Sequence, residues 1–344
     1  MKKVTIFKSA VIALIACVGF VACSTESIET PTEPETQPET YTVKLGWAGE
    51  ILELGEEPLA SRASTNDLYG IQVYSKTEDA YSWVPYAYGL FDDPENISIT
   101  LLANVKYQIV ATMVKDGKSQ VYYSYSGNYS FPFYHKTDGS TPVSNEFCYQ
   151  VDGDYLYLGN GHTQLQSPNE YFDLPNTDRY YGELSEYVPN AENTKAIIQM
   201  KRTAFGAKFI AEGELANSGT LEVQIQGAPK IALALTEGED VLFDIFTFNN
   251  VKAAWAEQGD YVGIYNVAIN WISPEGTTMP LGTHEISFKR NATTVVTVNI
   301  EQQSETAGLG FGFDPSEQGN PSEDGENDIT IGSGDTTDTD VEIN

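Results

Sequence analysis

Basic residues are scarce in this chain of 344 residues: 19 Lys and Arg stand against 49 Asp and Glu, and the formal net charge is −30. Proteins that bind nucleic acids or anionic lipids use basic patches, which this composition does not provide. Three Cys are too few for a fold built on disulfides. The composition therefore excludes a nucleic-acid-binding protein and a disulfide scaffold. Its 41% hydrophobic residues, with 21 Tyr and 15 Phe, are enough to build ordered cores.

One long apolar run lies near the N-terminus, from Ser9 to Ala22, and three Lys precede it among the first eight residues. The run is shorter than the about 20 apolar residues of a membrane-spanning helix, and it is typical of a secretory signal peptide. Cys23 follows directly, and Phe20–Cys23 resembles a bacterial lipobox, where signal peptidase cuts before the Cys and the thiol is acylated. We therefore predict a signal peptide at residues 1–22 and a palmitate-bearing Cys23 that anchors the chain in lipid.

Two alternatives to cleavage before Cys23 remain open. Leu14–Cys17 matches the lipobox preference for Leu better than Phe20–Cys23 does. Cutting there would leave the apolar residues 18–22 on the mature N-terminus, whereas cutting before Cys23 exposes a polar sequence. The other alternative is a plain secretory peptide that leaves Cys23 as a free thiol.

Two acidic segments flank the central part of the chain. Residues 24–40 carry five Glu, three Pro and no basic residue, so that like-charge repulsion and Pro favour an extended chain. Residues 301–344 carry twelve acidic residues, seven Gly and no basic residue. We expect a disordered tether at residues 23–40 and a disordered tail at residues 303–344.

Strand patterns predominate between the two acidic segments. From Tyr41 to Trp47, large apolar residues alternate with polar or small ones, which is the period-2 pattern of a half-buried strand. Similar patterns recur up to about Ile300. Asp116 and Gly117 lie between two such runs and predict a hairpin turn, and a short helix is predicted at Val251–Gln258.

The predicted strands form two groups. Gly, Asn, Pro and Asp interrupt the intervening residues, which predicts a loop or junction at 161–194. The fold class predicted is all-β, with two successive antiparallel β-sandwich domains at residues 41–160 and 195–302.

Sequence motifs of enzymes are missing. Three His, at positions 135, 162 and 284, are far apart, and none belongs to an HExxH zinc motif. No nucleophile elbow, Walker loop or dinucleotide-binding glycine motif occurs. Asp152 and Asp154 resemble the start of an EF-hand loop, but Leu156 takes the next ligand position, so a turn is expected. We predict no catalysis, cofactor or metal; a carboxylate pair at glycosidase spacing is the alternative left open.

Aromatic side chains provide a second functional hypothesis. Four Trp, at positions 47, 83, 255 and 271, and Tyr clusters such as that at 122–125 have ring faces that stack on sugar rings. Most of them alternate along strands, where core or cross-strand packing is the simpler interpretation. Trp83 lies just before a predicted strand instead, and it is therefore the candidate ligand contact.

The order of these features resembles that of the fimbrillin-like surface lipoproteins of Bacteroidetes. The resemblance rests on the Cys, the acidic tether, the strand TVKLGWAGEI, the following PLASRAS and DLYGIQVYS, and the later MKRTAFGAKFI. In that family the subunits are outer-membrane lipoproteins of two β-sandwich domains. A trypsin-like protease cuts after an Arg near the N-terminus and removes the lipid with the first strand, and a strand of the next subunit fills the groove. The resemblance implies a cut between Arg62 and Ala63; an ordinary loop Arg is the alternative.

A donor strand is expected in the acidic tail, because a strand added to an exposed edge gains main-chain hydrogen bonds and side-chain pockets. Two apolar patterns with a period of two occur there: Leu309, Phe311 and Phe313, and then Ile329 and Ile331. The tail lacks the long alternating run expected of a shaft subunit. An accessory or anchor subunit, or a relative that does not polymerise, therefore fits as well.

The functional prediction is a non-catalytic, lipid-anchored protein of the outer-membrane surface, with a structural or adhesive role in a fimbria-type assembly. The expected partners are outer-membrane lipid through Cys23, neighbouring pilus subunits, and glycans or proteins of host or bacterial surfaces. The alternative is a glycan-binding surface lipoprotein for nutrient capture, which requires an exposed aromatic platform at Trp83, Trp255 or Trp271.

Overall fold

The structure, a computed structural model, describes residues 38–53, 66–136, 139–149, 154–257, 261–301, 315–316 and 326–331. Strands predominate in these ranges, which confirms the all-β prediction. Several sequence predictions lie outside the described residues, namely the signal peptide, Cys23, Arg62, Ala63, Leu309, Phe311 and Phe313.

A first unit spans the described residues up to Arg202. It contains a 3₁₀ helix at Glu50–Glu53 and a single helical turn, α1, at Gly117–Gln120. Its strands are β1 Thr40–Gly49, β2 Leu68–Lys76, β3 Val84–Phe91, β4 Ser98–Leu102, β5 Lys106–Val114, β6 Asn128–Tyr129, β7 Thr141–Pro142, β8 Cys148–Tyr149, β9 Thr163–Gln164, β10 Tyr171–Phe172, β11 Arg179–Tyr187 and β12 Lys195–Arg202.

Eight of these strands form one sheet in the order β4-β1-β12-β11-β5-β2-β3-β8. The sheet folds over on itself, so that β4, β1 and β12 face β11, β5, β2 and β3 across one apolar core, as the layers of a β-sandwich do. The period of two decides which side chains enter this core. In β1, Val43 and Leu45 are buried while Thr42 and Lys44 between them are exposed.

The boundary between the two units differs from the prediction. β11 pairs antiparallel with β5, and β12 pairs parallel with β1, with Lys44 opposite Lys195. Residues 179–202 therefore complete the first sheet, although they were predicted to belong to a junction and to the start of the second domain. Parallel strands are joined by long connections and not by a short turn. The pairing of β1 with β12 therefore has no local sequence signal.

The second unit begins at β13. Its elements are β13 Ala204–Glu212, β14 Thr220–Ile225, β15 Ile231–Ala234, β16 Val241–Thr247, α2 Val251–Ala256, β17 Val262–Ile272, β18 Thr278–Lys289, β19 Thr293–Asn299, β20 Pro315–Ser316 and β21 Glu326–Ile331. One sheet has the order β16-β13-β19-β21-β20 and the other the order β15-β14-β17-β18. Apolar side chains of both sheets share a core that includes Phe205, Val223 and Phe288, which makes a second sandwich.

β21 lies within the segment predicted as the acidic tail. It pairs parallel with β19, with Val296 opposite Ile329 and Val298 opposite Ile331. The second candidate donor pattern therefore forms a strand in its own chain's sheet, between β19 and β20. With the β1–β12 and β13–β19 pairs, this contact adds parallel pairing to sheets that were predicted to be antiparallel.

The predicted hairpin at Asp116–Gly117 is not formed. Asp116 has a left-handed backbone with φ of 51°, and Gly117 begins α1. Both edges of β5 are occupied, by β2 and β11, so the chain after α1 cannot pair there. The predicted helix at 251–258 is confirmed as α2, whose N-cap Asn250 accepts a hydrogen bond of 2.9 Å from the Ala253 N–H.

Apart from β8, which pairs with β3 in the first sheet, most of the described chain between α1 and β11 lies on the outer face of that sheet. We name residues 121–172 the tyrosine-rich segment, because they contain nine of the 21 Tyr. A third apolar cluster lies between this segment and the sheet, with Val110 and Val114 of β5 packed against Phe133, Leu156 and Leu158. The tyrosine-rich segment is thereby held on the outside of the first sandwich.

Candidate functional site

Two places in the first unit combine unusual geometry with accessible chemistry: the groove that β1 occupies, and a cleft under the tyrosine-rich segment. β1 pairs antiparallel with β4 over Thr40–Lys44 and parallel with β12 over Lys44–Gly49. It thus contributes backbone hydrogen bonds to two neighbours, and its removal would leave two unpaired edges in the middle of the sheet.

The groove of β1 takes apolar side chains at alternating positions. Val43 and Leu45 are 0% and 1% exposed, and burying each such side chain stabilises the fold by about 1.5–3 kcal/mol. Trp47 follows two residues later. Its ring centroid lies 5.5 Å from that of Tyr69, and its indole N–H donates to the Pro94 carbonyl at 3.3 Å.

Gly46 separates the last two of these apolar positions. A Cβ at position 46 would lie 2.7 Å from Cδ1 of Ile197 on β12. Cδ1 is the end of a flexible side chain that is 45% exposed, so a larger residue at position 46 displaces Ile197, whereas glycine leaves it in place. From position 43 to position 47, β1 therefore has the pattern apolar, polar, apolar, glycine, aromatic.

The 3₁₀ helix that follows β1 reaches the second unit through Glu50. The Glu50 carboxylate accepts hydrogen bonds from Arg290 Nη1 at 2.6 Å and from the Arg202 backbone N–H at 2.8 Å. Arg202 in turn forms a buried, two-pronged ion pair with Asp178 at 2.8 and 2.9 Å. β1 and its C-terminal extension are thus tied to the second sandwich by charge-assisted hydrogen bonds.

The cleft has a volume of about 330 Å³ and is partly open to solvent. Its floor consists of outward-facing side chains of the first sheet: Tyr74 of β2, Gln108 of β5 and Glu183 of β11. Residues 155–160 of the tyrosine-rich segment form the opposite wall, and Lys252 of α2 closes one side. The cleft is therefore built by the first sheet, the tyrosine-rich segment and α2 together.

Two buried polar side chains hold the wall of the cleft in place. The Gln72 Oε1 accepts a 2.8 Å hydrogen bond from the Leu156 backbone N–H. The Arg179 guanidinium, which is fully buried, donates to the carbonyls of Leu158 and Asn160 and, through Nε, to the Thr112 hydroxyl. Burial lowers the pKa of Arg179 to about 9, and its backbone partners satisfy donors that would otherwise be costly to bury.

Glu183 is the charged group of the floor. Its side chain is 6% exposed. Its oxygens accept hydrogen bonds from Lys252 Nζ at 2.6 Å, from Gln108 Nε2 at 3.0 Å and from the Tyr181 hydroxyl. Burial, followed by the Glu183 charge, raises the pKa of Tyr181, which stays protonated as a donor. The Lys252–Glu183 pair leaves the cleft with no net charge.

An aromatic ladder continues from the cleft across the tyrosine-rich segment. Successive ring centroids are 3.9–5.3 Å apart along the series Tyr155, Tyr157, Tyr134, Phe131, His162 and Tyr171. Tyr134 and Tyr157 are nearly parallel, at 9°. The Tyr155 and Tyr157 hydroxyl oxygens lie 2.6 Å apart, and hydrogen bonds from Tyr155 and Tyr134 lower the pKa of Tyr157.

The three Trp of the glycan hypothesis have different surroundings. Trp271 is buried in the second core, and its indole donates to the Ser218 carbonyl at 2.9 Å, so it offers no platform. Trp255 is half-buried against Tyr181. Trp83 is half-exposed, with the Lys76 ammonium 5.9 Å from its ring centroid. None of the three lines the cleft, although Trp255 packs against Tyr181, which does. Tyr155 and Tyr157 had no sequence pattern that marked them as contact residues.

Two observations concern metals and membranes. In the described part of the chain, no three or more His, Cys, Asp or Glu side chains are grouped to hold a metal ion. Asp154, from the motif that resembles an EF-hand, lies 3.2 Å from the His135 ring nitrogen. No helix within the described ranges is long and apolar enough to cross a membrane.

Comparisons with known proteins give structural neighbours. The chain matches no family model and no curated protein. It is similar to the fimbrial anchor protein Mfa2 from Porphyromonas gingivalis, at 10% identity over 73% of this chain and 83% of that one, with a TM-score of 0.32. It is also similar to the tip fimbrial protein Mfa3 of that organism, with a C-terminal truncation (9% identity, 78% and 95% covered, TM-score 0.27).

A third neighbour is a Bacteroides eggerthii protein named for a proposed role in cell adhesion (12% identity, 86% and 96% covered, TM-score 0.33). The names of these three neighbours describe fimbrial proteins and a proposed cell adhesion protein.

Proposed function

We propose that the protein is a non-catalytic, lipid-anchored subunit of the outer-membrane surface, with a structural or adhesive role in a fimbria-type assembly. The observation that carries the proposal is the position of β1. It fills a groove in the middle of a sheet, yet it is joined to β2 only through residues 54–65, which contain Arg62. A single cut after Arg62 breaks the covalent link between β1 and the rest of the chain.

The fit between groove and tail supports this proposal. Laid in the direction of β1, the sequence Leu309 to Phe313 places Leu309 at the position of Val43 and Phe311 at that of Leu45. Gly312 then falls at the position of Gly46, where a Cβ would meet Ile197. Phe313 follows at the position of Trp47. The apolar-glycine pattern of the tail thus matches the residue types of β1 at four positions.

The Glu50 contacts support a role for processing as a switch. Because Glu50 precedes Arg62 in the chain, departure of the cut segment withdraws its carboxylate from Arg290 and from the Arg202 N–H. The cut subunit therefore loses a tie between its two sandwiches together with its first strand. A new strand in the empty groove would stabilise such a subunit by main-chain hydrogen bonds and apolar contacts.

Mass spectrometry of surface material from cells tests the processing step. We expect the wild type to yield a chain that begins at Ala63, and the variant Arg62→Ala to keep an acylated N-terminus at Cys23. The matched control is Ser61→Ala, which alters the same loop, keeps the Arg and should be cut like the wild type. The proposal fails if wild-type material contains no chain beginning at Ala63, or if Arg62→Ala is cut at that bond as well.

A further inference from the structure

We propose that the cleft between the tyrosine-rich segment and the first sheet binds a neutral pyranose residue of a glycan. The proposal goes beyond the assembly role, because the cleft consists of residues that processing at Arg62 leaves in place. It assigns the recognition of sugars to Tyr155, Tyr157 and Glu183 rather than to Trp83, the candidate ligand contact of the sequence.

The size and walls of the cleft suit a sugar ring. Its volume of about 330 Å³ lies at the lower end of the range for small-ligand sites, about 300–1,000 Å³. Tyr155 and Tyr157 line one side. The C–H bonds on a pyranose face are electropositive and pack against the electronegative face of an aromatic ring. Tyrosines also cost little conformational entropy when they contact a ligand, because they have two side-chain torsions.

The floor offers hydrogen bonds that match hydroxyl groups. A carboxylate has about four acceptor positions, and Glu183 receives three donors from the protein, namely Lys252, Gln108 and Tyr181. One acceptor position therefore remains for a hydroxyl of the ligand. The Gln108 amide beside it carries both a donor and an acceptor group, so that two neighbouring hydroxyls find partners on adjacent strands.

The cleft is organised before a ligand arrives. Gln72 and Arg179, both buried, fix the backbone at Leu156, Leu158 and Asn160. Tyr134 stacks on Tyr157 and sets the orientation of its ring. Binding consequently does not need to order the wall, which removes a cost that weakens many sites.

Charge decides the class of sugar. Lys252, the cation of the cleft, is paired with Glu183 at 2.6 Å, and the chain carries a formal net charge of −30. An acidic sugar or a nucleotide would therefore be repelled at long range and would find its cationic partner occupied. A purely apolar ligand would leave the carboxylate and amide of the floor without hydrogen bonds to replace water. A neutral, hydroxyl-rich ligand is not repelled by the charge of the protein, and its hydroxyls form hydrogen bonds with the carboxylate and amide of the floor.

Calorimetric titration of the purified full chain tests the proposal. The neutral probes are maltohexaose, laminarihexaose, mannohexaose and chitohexaose, and hexagalacturonate is the anionic probe. We expect at least one neutral probe to bind with a Kd between about 10 μM and 1 mM, and the anionic probe to bind at least about tenfold more weakly.

Variants then locate the binding. Tyr157→Ala and Glu183→Gln should each weaken binding of that probe by about tenfold or more. Tyr157→Phe keeps the ring and should stay within about threefold of the wild type. The matched control is Tyr125→Ala in the same segment, whose side chain is fully exposed and does not line the cleft, and it should bind normally.

The proposal is overturned if none of the neutral probes binds at about 10 mM, if hexagalacturonate binds more tightly than they do, or if Tyr157→Ala and Glu183→Gln bind like the wild type. Circular dichroism establishes that the variants are folded; should Tyr157→Ala unfold, Gln108→Ala replaces it, with the same expected loss. None of these results depends on processing, so failure here and failure of the N-terminal mass test are distinguishable.

Discussion

Asp92, at the end of β3, connects three parts of the first unit. Its Oδ2 accepts a 2.7 Å hydrogen bond from Lys118 of α1, and its Oδ1 accepts one of 2.8 Å from the Asn145 side chain. The Asn145 side-chain oxygen Oδ1 in turn accepts from the Asp92 backbone N–H at 2.9 Å. The hydrogen bond from Lys118 is the largest cause that lowers the pKa of the Asp92 carboxyl below its ordinary value.

Asp92→Asn should lower the free energy of unfolding at pH 7 by about 1–2 kcal/mol, because it replaces charge-assisted hydrogen bonds with neutral ones. A carboxyl whose pKa is lower in the folded state stabilises the protein above its unfolded pKa, and this contribution disappears as the pH falls through the folded pKa. The difference between variant and wild type should therefore shrink below about pH 4. Urea unfolding followed by circular dichroism at several pH values measures it.

Lys106 provides the control for this prediction. Its ion pair with Glu186 has both side chains about half exposed, so solvent screens it and Lys106→Ala should leave the free energy of unfolding nearly unchanged. A pH-independent difference for Asp92→Asn, or an equal effect of Lys106→Ala, would contradict the role assigned to Asp92.

At the scale of single elements, β1 and the tail make a prediction about strand exchange. A peptide spanning residues 305–317 should bind the trypsin-cut protein after the β1 segment has been separated from it. Phe311→Asp in that peptide should abolish binding, because position 45 of the groove is 1% exposed and an unpaired buried charge costs several kcal/mol. Fluorescence polarisation of the labelled peptide provides the measurement.

Thr306→Asp is the control peptide, since it adds the same charge outside the apolar pattern and should bind normally. Equal binding of the wild-type and Phe311→Asp peptides would rule out the assigned donor. Binding of a peptide of residues 325–332 instead would transfer the donor role to the Ile329–Ile331 pattern, which pairs with β19 in the intact chain.

Local patterns predicted local structure well. The alternation in β1 identified Val43 and Leu45 as its buried side chains, and the apolar spacing after Asn250 identified α2. These elements follow from short-range periodicity and capping, which the sequence displays directly. Positions such as Gly46, where a side chain would displace Ile197, become interpretable once the neighbouring strand is known.

Long-range pairing and the cleft were not predictable in the same way. The alternation at Tyr155–Leu158 looks like a strand, yet in the structure Leu156 makes one isolated bridge to His135 and the segment lies outside the sheet. Its tyrosines are therefore brought to a surface cleft by Gln72 and Arg179, which lie far away in sequence. The concentration of Tyr, Ser, Gly and Asn in residues 121–172 was the available signal, since such composition is common in recognition loops.

At the scale of the whole molecule, the distribution of charge constrains how copies meet. The tail from residue 301 carries twelve acidic residues and no basic one, while residues 41–300 carry 32 acidic and 16 basic residues. Insertion of one copy's tail into the first unit of the next therefore brings two negatively charged bodies together. The two copies repel each other before they touch. The apolar contacts in the groove therefore form only after this repulsion has been overcome.

Assembly of the processed protein should consequently accelerate with salt. Raising NaCl from about 0.01 to 0.2 M shortens the Debye length from about 30 Å to less than 10 Å, which screens the repulsion between approaching copies but not the apolar contacts of the groove. We expect light scattering of trypsin-cut protein to show growth that is several-fold faster at the higher salt concentration, while uncut protein shows no growth at either. Sucrose at equal osmolality is the control for non-ionic effects and should not reproduce the acceleration. Growth that slows with added NaCl would mean that complementary charges drive the association, which contradicts joining through the acidic tail.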